Sequence, residues 1–359
     1  MTNKNRIALV ATLIALILGV TLTASAQQRN RDREAAAPQN FSPKFTSEDE
    51  QKLFAATNVP DPNAKLTAAD AFLAKFPMSQ LAGYAHRFRM EAFLATNKYA
   101  EAFAAGETGF ALETKYVEDL IKQADADAAN KNRRDRNAPP PIDKNSDAFK
   151  AFLAEFDKTQ MYYYQNLMRS AQEANDLDKV LEYGDKALAK NANDPYSLIT
   201  VSNILSRRVP PDEKQAEAAL KRAEDVSKRA VNVMTQLVSA QGAALAPSQK
   251  AAYLGGVNVS LGLVYFNQKK YDDAQKQFQA TIAIDPKDAE AYMLLGMTYV
   301  NQKPQKLDEA MDSLAKSVFL KGATESQARQ SLTQVYQAAK KSLDGLDQYI
   351  TAAGAKIPQ

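Results

Sequence analysis

Two stretches of this chain repeat each other. Residues 261–269 read LGLVYFNQK, and residues 295–303, 34 positions later, read LGMTYVNQK. Leu, Gly, Tyr, Asn, Gln and Lys coincide at six of the nine places. A third, more divergent copy keeps Leu332 and Tyr336 at the same mutual spacing, with Thr333 where the others have glycine. A period of this length marks a supersecondary unit that cannot bury its apolar face alone, so neighbouring units have to stack.

The residues between the copies say what the unit is made of. Strand signals are missing, because β-branched alternation is scarce and turn clusters do not recur at short intervals. Helical spacing is clear instead. Gly262 and Gly296 remove a side chain where two antiparallel helices touch. Ala274 and Ala310 do the same on the second helix of each pair. Leu261, Tyr265 and Phe278 fill the space beside the first contact, and Leu295, Tyr299 and Leu314 fill it beside the second. Pro286 cannot continue a helix and sets the boundary before the next pair. The second unit is displaced by two extra residues around Pro304. Upstream, helices are expected from about 68 to Pro77, from Ser79 to Thr96 and from Tyr99 onward. Pro210-Pro211-Asp212 opens a long helix to about Ala240, with Asp212 accepting from the orphan amides at its start. Glu217–Lys221, Glu224–Lys228 and Asp225–Arg229 are i,i+4 pairs that mark an exposed helix face.

These motifs resemble the tetratricopeptide repeat (TPR) family, whose unit is a 34-residue helix–turn–helix. The resemblance is strong over residues 255–320 and weaker around 161–195. Around 68–115 it is similar to TPR units of bacterial envelope proteins. It implies an all-α, right-handed superhelical array of antiparallel helix pairs that binds protein or peptide. In such arrays the first helix of each unit lines the concave face. Helical spacing puts Val259, Leu263 and Phe266 there in the first strong unit, and Met293, Met297 and Val300 in the second. Asn267 and Asn301 sit one residue further on, where they could bond a peptide backbone. Family members that grip a C-terminal carboxylate use Lys, Arg and Asn on this face. Here those places are aliphatic or aromatic, so an apolar or amphipathic segment is the expected ligand. The alternative is that the chain's own segments fill the groove. In the third copy the same face becomes Gln327, Gln330, Gln334 and Gln337, read as the solvated face a terminal repeat needs.

Composition narrows the function. The chain has no cysteine and a single histidine, His86. Thiolate nucleophiles, disulfides, Fe–S clusters and multi-histidine metal sites are therefore excluded. His86 lies beside Arg87 and Arg89 and is read as structural. Gly255-Gly256 lacks the strand before it and the Gly-Lys-Ser/Thr after it that a phosphate loop requires. Tyr162-Tyr163-Tyr164 wraps around a helix, so at most two rings share a face. No catalytic residue, cofactor or metal is assigned.

The beginning of the chain reads as a secretory signal peptide. Lys4 and Arg6 precede an uncharged run from Ile7 to Val20, and Ala24-Ser25-Ala26 is the small-residue cleavage pattern. Removing 1–26 takes the formal charge from +3 to +1, so the basicity is no argument for nucleic acid. Residues 27–46 are expected to be a flexible tether, 47–125 degenerate TPR-like helices and 126–146 a basic, proline-rich linker. Residues 147–245 are expected to form middle helices and 246–359 the C-terminal repeats with their capping helices. The reading is a non-catalytic interaction scaffold, exported to the periplasm or secreted, with no membrane span after cleavage. The competing readings are a structural subunit of an envelope assembly complex, and an enzyme with a helical-repeat accessory region.

Overall fold

In a computed structural model, residues 39–129, 140–241 and 245–358 are described. The expected signal peptide, most of the tether and the core of the basic run (Lys131, Arg133, Arg134, Arg136) lie outside them. The described residues are helical, with no strand among them. The chain separates into two compact units between Lys190 and Asn191.

The first unit holds α1 (Glu48–Ala55), α2 (Pro62–Lys75), α3 (Ala82–Ala95), α4 (Tyr99–Ala129), α5 (Asp147–Glu173) and α6 (Leu177–Lys190). Each packs on its neighbours in sequence, as a stack of hairpins must. The second unit holds α7 (Pro195–Arg207), α8 (Glu213–Gln241) and α9 (Pro247–Lys250), then a π-helical turn over Ala251–Gly255. It continues through α10 (Gly256–Asn267), α11 (Tyr271–Ile284), α12 (Ala289–Asn301), α13 (Leu307–Leu320), α14 (Glu325–Lys340) and α15 (Leu346–Gly354).

Local chemistry sets the ends of these helices. Asp61 and Asp194 precede a proline at the first helical position, and their carboxylates accept from Ala64 N (2.7 Å) and Ser197 N (2.9 Å). Asp212 does the same for Gln215 N at 2.9 Å, as its place before the long helix predicts. Three hairpins share one turn. Asn97, Asn175 and Lys269 take a left-handed backbone at φ 57°, 60° and 61°. In each, the next amide (Lys98, Asp176, Lys270) donates to a carbonyl five residues back at 2.8 Å (Phe93, Ala171, Tyr265). This is the Schellman closure, and it satisfies carbonyls a helix end would leave orphaned. The residue after it starts the second helix in all three.

Two segments read as unpacked linkers hold packed residues. In the expected tether, Phe41 is buried with Ala124, Ile142 and Phe149, and its carbonyl accepts from the Tyr116 hydroxyl at 2.9 Å. Within 126–146, α4 continues to Ala129, Ile142 is buried, and its amide donates to Asp127 at 3.0 Å. Gln39 Nε2 ties the two segments together by donating to Pro140 O and Pro141 O, each at 3.1 Å. Buried Phe41 and Ile142 supply the apolar area that holds these stretches down. Both segments belong to the compact unit that ends at Lys190.

Candidate functional site

The repeat contacts form as the spacing requires. A Cβ on Gly262 would lie 2.5 Å from Phe278 Cε1, and one on Gly296 would lie 2.6 Å from Leu314 Cγ. Ala274, Ala310, Phe278 and Leu314 are fully buried, with Leu261, Leu295 and Tyr299 nearly so. Tyr265 is partly buried against the same core. Pro286 lies in the connection after α11, and Asp288 caps α12 by accepting from Ala291 N at 3.0 Å.

The expected groove divides. Leu263, Phe266, Met297 and Val300 stand partly buried on the margin of the C-terminal core. Val259 and Met293 do not line an open face. They are 2% and 4% exposed and belong to the core itself. The helices of this unit press closely enough that these two positions face packed neighbours. Asn267 is engaged too: its Nδ2 donates to Ser206 O at 3.1 Å and satisfies a carbonyl at the end of α7. Asn301 is exposed, and its Nδ2 donates to Met297 O of its own helix at 2.8 Å. Arg207 Nη2 reaches Glu290 Oε1 at 3.1 Å and ties α7 to α12. Part of the face read as a groove is therefore covered by the chain itself, and the open remainder is the four-residue apolar row. Gln327, Gln330, Gln334 and Gln337 are all exposed on α14.

A polar clasp secures this array. Glu224 of α8 accepts from Lys228 (2.6 Å), Gln268 (2.8 Å) and Lys270 (3.3 Å), bridging α8 to the turn after α10. The Lys228 bond foremost, against the opposing push of burial and with help from Gln268 and Lys270, holds the Glu224 carboxyl down at about 2. Its folded value lies below its unfolded one, so its stabilisation is present above the ordinary glutamate range. It is lost as pH falls from there toward about 2. Glu224→Gln should cost about 1–2 kcal/mol at neutral pH and flatten the acid limb of the stability profile in that window. Urea titrations of both proteins between neutral and strongly acidic pH would show it. An acid limb unchanged by the substitution would remove Glu224 from the clasp.

The first unit holds a charged centre that repeat spacing does not reveal. Glu113 of α4 is buried, accepts from the Tyr163 hydroxyl at 2.7 Å, and faces Arg87 Nη1 at 3.6 Å. Tyr162 donates to Glu91 at 2.9 Å, and Glu91 also pairs with Lys65 at 3.1 Å. Burial raises the Glu113 carboxyl above its ordinary value even though Arg87 and Tyr163 pull it down. Tyr163 and Tyr164 are the two buried rings of the triple tyrosine, with Tyr162 at the rim. His86 sits half-buried with Nδ1 3.4 Å from Arg89 Nη1. Burial first, then Arg89, lowers its pKa. Both effects oppose the protonation that a proton switch near neutral pH requires. Among the described residues no cluster of His, Cys, Asp or Glu could hold a metal ion, and no helix is long and apolar enough to cross a membrane.

Comparison with known proteins places one family match within the C-terminal repeats. A TPR repeat family model matches residues 262–303, the span from the first repeat glycine to the end of the second repeated stretch. No curated protein matches the chain. Among solved structures, a thermophilic TPR protein of Thermus thermophilus is similar at 16% identity and TM-score 0.37, covering 71% of this chain and 98% of its own. A tetratricopeptide repeat protein of Parabacteroides merdae is similar at 12% identity and TM-score 0.43, covering 86% and 97%. Yeast Tom70 is similar at 12% identity and TM-score 0.37, covering 89% and 70%. Residues 262–303 thus match a tetratricopeptide repeat model, and the close packing at Gly262 is that of a repeat hairpin.

Proposed function

We propose that the chain is a non-catalytic scaffold of the bacterial cell envelope that binds an apolar or amphipathic segment of a partner protein. The TPR fold is one typically used for protein–protein interaction. The observation that carries the reading is the row Leu263, Phe266, Met297 and Val300, which remains partly exposed beside a core that buries every neighbouring apolar side chain of α12. Methionine and phenylalanine repack around differing shapes, which suits a helix or an extended apolar peptide. Export rests on the basic start at Lys4 and Arg6, the run from Ile7 to Val20 and the Ala24-Ser25-Ala26 pattern.

The test is crosslinking in intact cells, with a photoreactive residue at Leu263 and the partner identified by mass spectrometry. Met297→Glu in the same background should abolish the crosslink, because a carboxylate buried in an apolar interface is costly. It should lower the melting temperature by no more than a few degrees, since the free side chain borders water. If the variant unfolds instead, Met297 is core and the row is no docking face. Mature protein from the exported fraction should begin at Gln27. Recovery of chain that still carries Met1 in washed membranes would make the first segment an anchor.

A further inference from the structure

The second unit carries a cavity of about 660 Å³ away from that apolar row. It opens between α11 and α13, with Tyr292, Leu295 and Tyr299 of α12 as its floor and Tyr349 of α15 at its side. At 100° per residue, these α12 positions lie on a different face from Met297 and Val300. The walls bring Asp308, Glu309 and Asp312 together with Lys316 and Lys356.

The charges in this cavity do not cancel. Asp312 is occupied, with Lys316 at 2.6 Å and Lys356 at 3.9 Å. Asp308 and Glu309 are exposed and have no ion-pair partner among the described residues. The phenols register burial and the nearby carboxylates. Burial first, and then Asp312 and Asp308, raise the Tyr349 pKa, while burial and Asp312 raise that of Tyr292. The aromatic floor holds the second observation. Tyr292 is only 5% exposed, yet its hydroxyl has no hydrogen-bond partner among the described residues. The neighbouring Tyr299 hydroxyl, by contrast, accepts from Gln279 Nε2 at 3.2 Å. The ring is packed, while the oxygen opens onto the cavity and is free to accept from a guest. Here it lines a cavity whose three carboxylates and two lysines leave one net negative charge, with Asp308 and Glu309 in no ion pair among the described residues.

We propose that this cavity receives the guanidinium of an arginine side chain presented by a partner protein. A guanidinium offers five donors in a planar fork, which two carboxylates and a phenolic oxygen can share. Its faces stack on tyrosine rings, and it sheds water more readily than an ammonium does. A lysine would be a poorer guest, because an ammonium is a compact, strongly hydrated charge without a planar fork to share among two carboxylates and a phenolic oxygen. Lys316 already covers the Tyr292 ring at 5.7 Å, which leaves the Tyr349 and Tyr299 rings for stacking. The site is independent of the apolar row and uses none of its residues.

The test uses the full-length protein and three fluorescein-labelled pentapeptides, Gly-Gly-Arg-Gly-Gly and its lysine and citrulline counterparts, read by fluorescence anisotropy. Citrulline keeps the shape of arginine without its charge. The arginine peptide should bind saturably and at least several-fold more tightly than either counterpart. Asp308→Asn combined with Glu309→Gln should weaken it about tenfold or more, since charge-assisted bonds are lost. Tyr292→Phe should weaken it about two- to tenfold while leaving the melting temperature unchanged, because its hydroxyl has no bond to lose in the free protein. Met297→Glu should leave this binding intact, so failure of the apolar-row reading would not be mistaken for failure of this one. Equal binding of the lysine peptide would reduce the site to general charge attraction and overturn the proposal. Equal binding of the citrulline peptide, absence of saturable binding, or indifference to the carboxylate pair would overturn it as well.

Discussion

Leucine in place of Gly262 should cost the C-terminal unit about 3 kcal/mol, toward or beyond the upper end of ordinary overpacking. Spread over a unit of this size, that lowers the melting temperature by about 6–12 °C. The reason is geometric. Even a bare Cβ at this position would sit 2.5 Å from one ring carbon of Phe278 and 2.9 Å from two others. Phe278 is fully buried, so its ring has no empty space to swing into. The substitution therefore forces α10 and α11 apart, and their separation propagates to α12, which packs on α11. Gly256 is the control. It lies in the same helix with helical backbone angles, and nothing approaches within 4 Å of where its Cβ would be. Gly256→Ala should stabilise by about 0.5–1 kcal/mol, because alanine loses less backbone freedom on folding. Thermal unfolding of the two variants beside the parent decides the matter. A Gly262→Leu protein that melts with the parent would mean that the hairpin contact is loose.

What could be read from residues alone tracks how local the signal is. Gly262, Ala274, Phe278 and Pro286 sit within one 34-residue period, and a second copy repeats the glycine and alanine, so the hairpin packing was legible. The start of α8 was legible for the same reason, since Asp212 acts within a turn of where it stands. The same signal stood at Asp61-Pro62, yet α2, expected from about residue 68, begins at Pro62. The groove was only half legible. Helical spacing gives the direction of Val259 and Met293 but not how near the next helix comes. The structure buries both. Asn267 looked free because its acceptor, Ser206 O, lies 61 residues away. The centre around Glu113 was missed altogether, yet a signal existed. Ala102, Ala105, Gly106 and Gly109 follow one another at helical spacing on α4, and Glu113 continues that face one turn on. A face of small residues exists to be approached closely, so a glutamate on it must be buried and must have a cation. Which cation, no local pattern could say.

That cation is Arg87, and removing it supplies the strongest test of the first unit. Arg87→Met keeps the length and much of the apolar stem but deletes the guanidinium 3.6 Å from Glu113. The Glu113 carboxylate, 5% exposed, is then left with the Tyr163 hydroxyl alone. Breaking a buried pair in this way costs about 3–5 kcal/mol, well above the effect of an exposed bridge. The cost should also depend on pH, which a loss of packing would not. Burial already lifts the Glu113 carboxyl above its unfolded value. A group raised on folding contributes stability below its unfolded pKa, and that contribution drains away as pH rises through the folded pKa. Without Arg87 the folded value climbs further, so the variant's deficit should be greatest at neutral pH. It should shrink as the solution is acidified toward the ordinary glutamate range, where Glu113 is neutral. Adding Glu113→Gln should recover much of the loss at neutral pH, because the amide leaves no buried charge to compensate and can still accept from Tyr163. Glu113→Gln alone should be milder than Arg87→Met. The stranded guanidinium is 19% exposed and keeps its stacking on the Tyr84 ring at 4.6 Å. Chemical denaturation of the four proteins at neutral and mildly acidic pH closes the cycle. A deficit of the same size at both pH values would assign the loss to the packing of the arginine stem and would make the ion pair incidental to the fold.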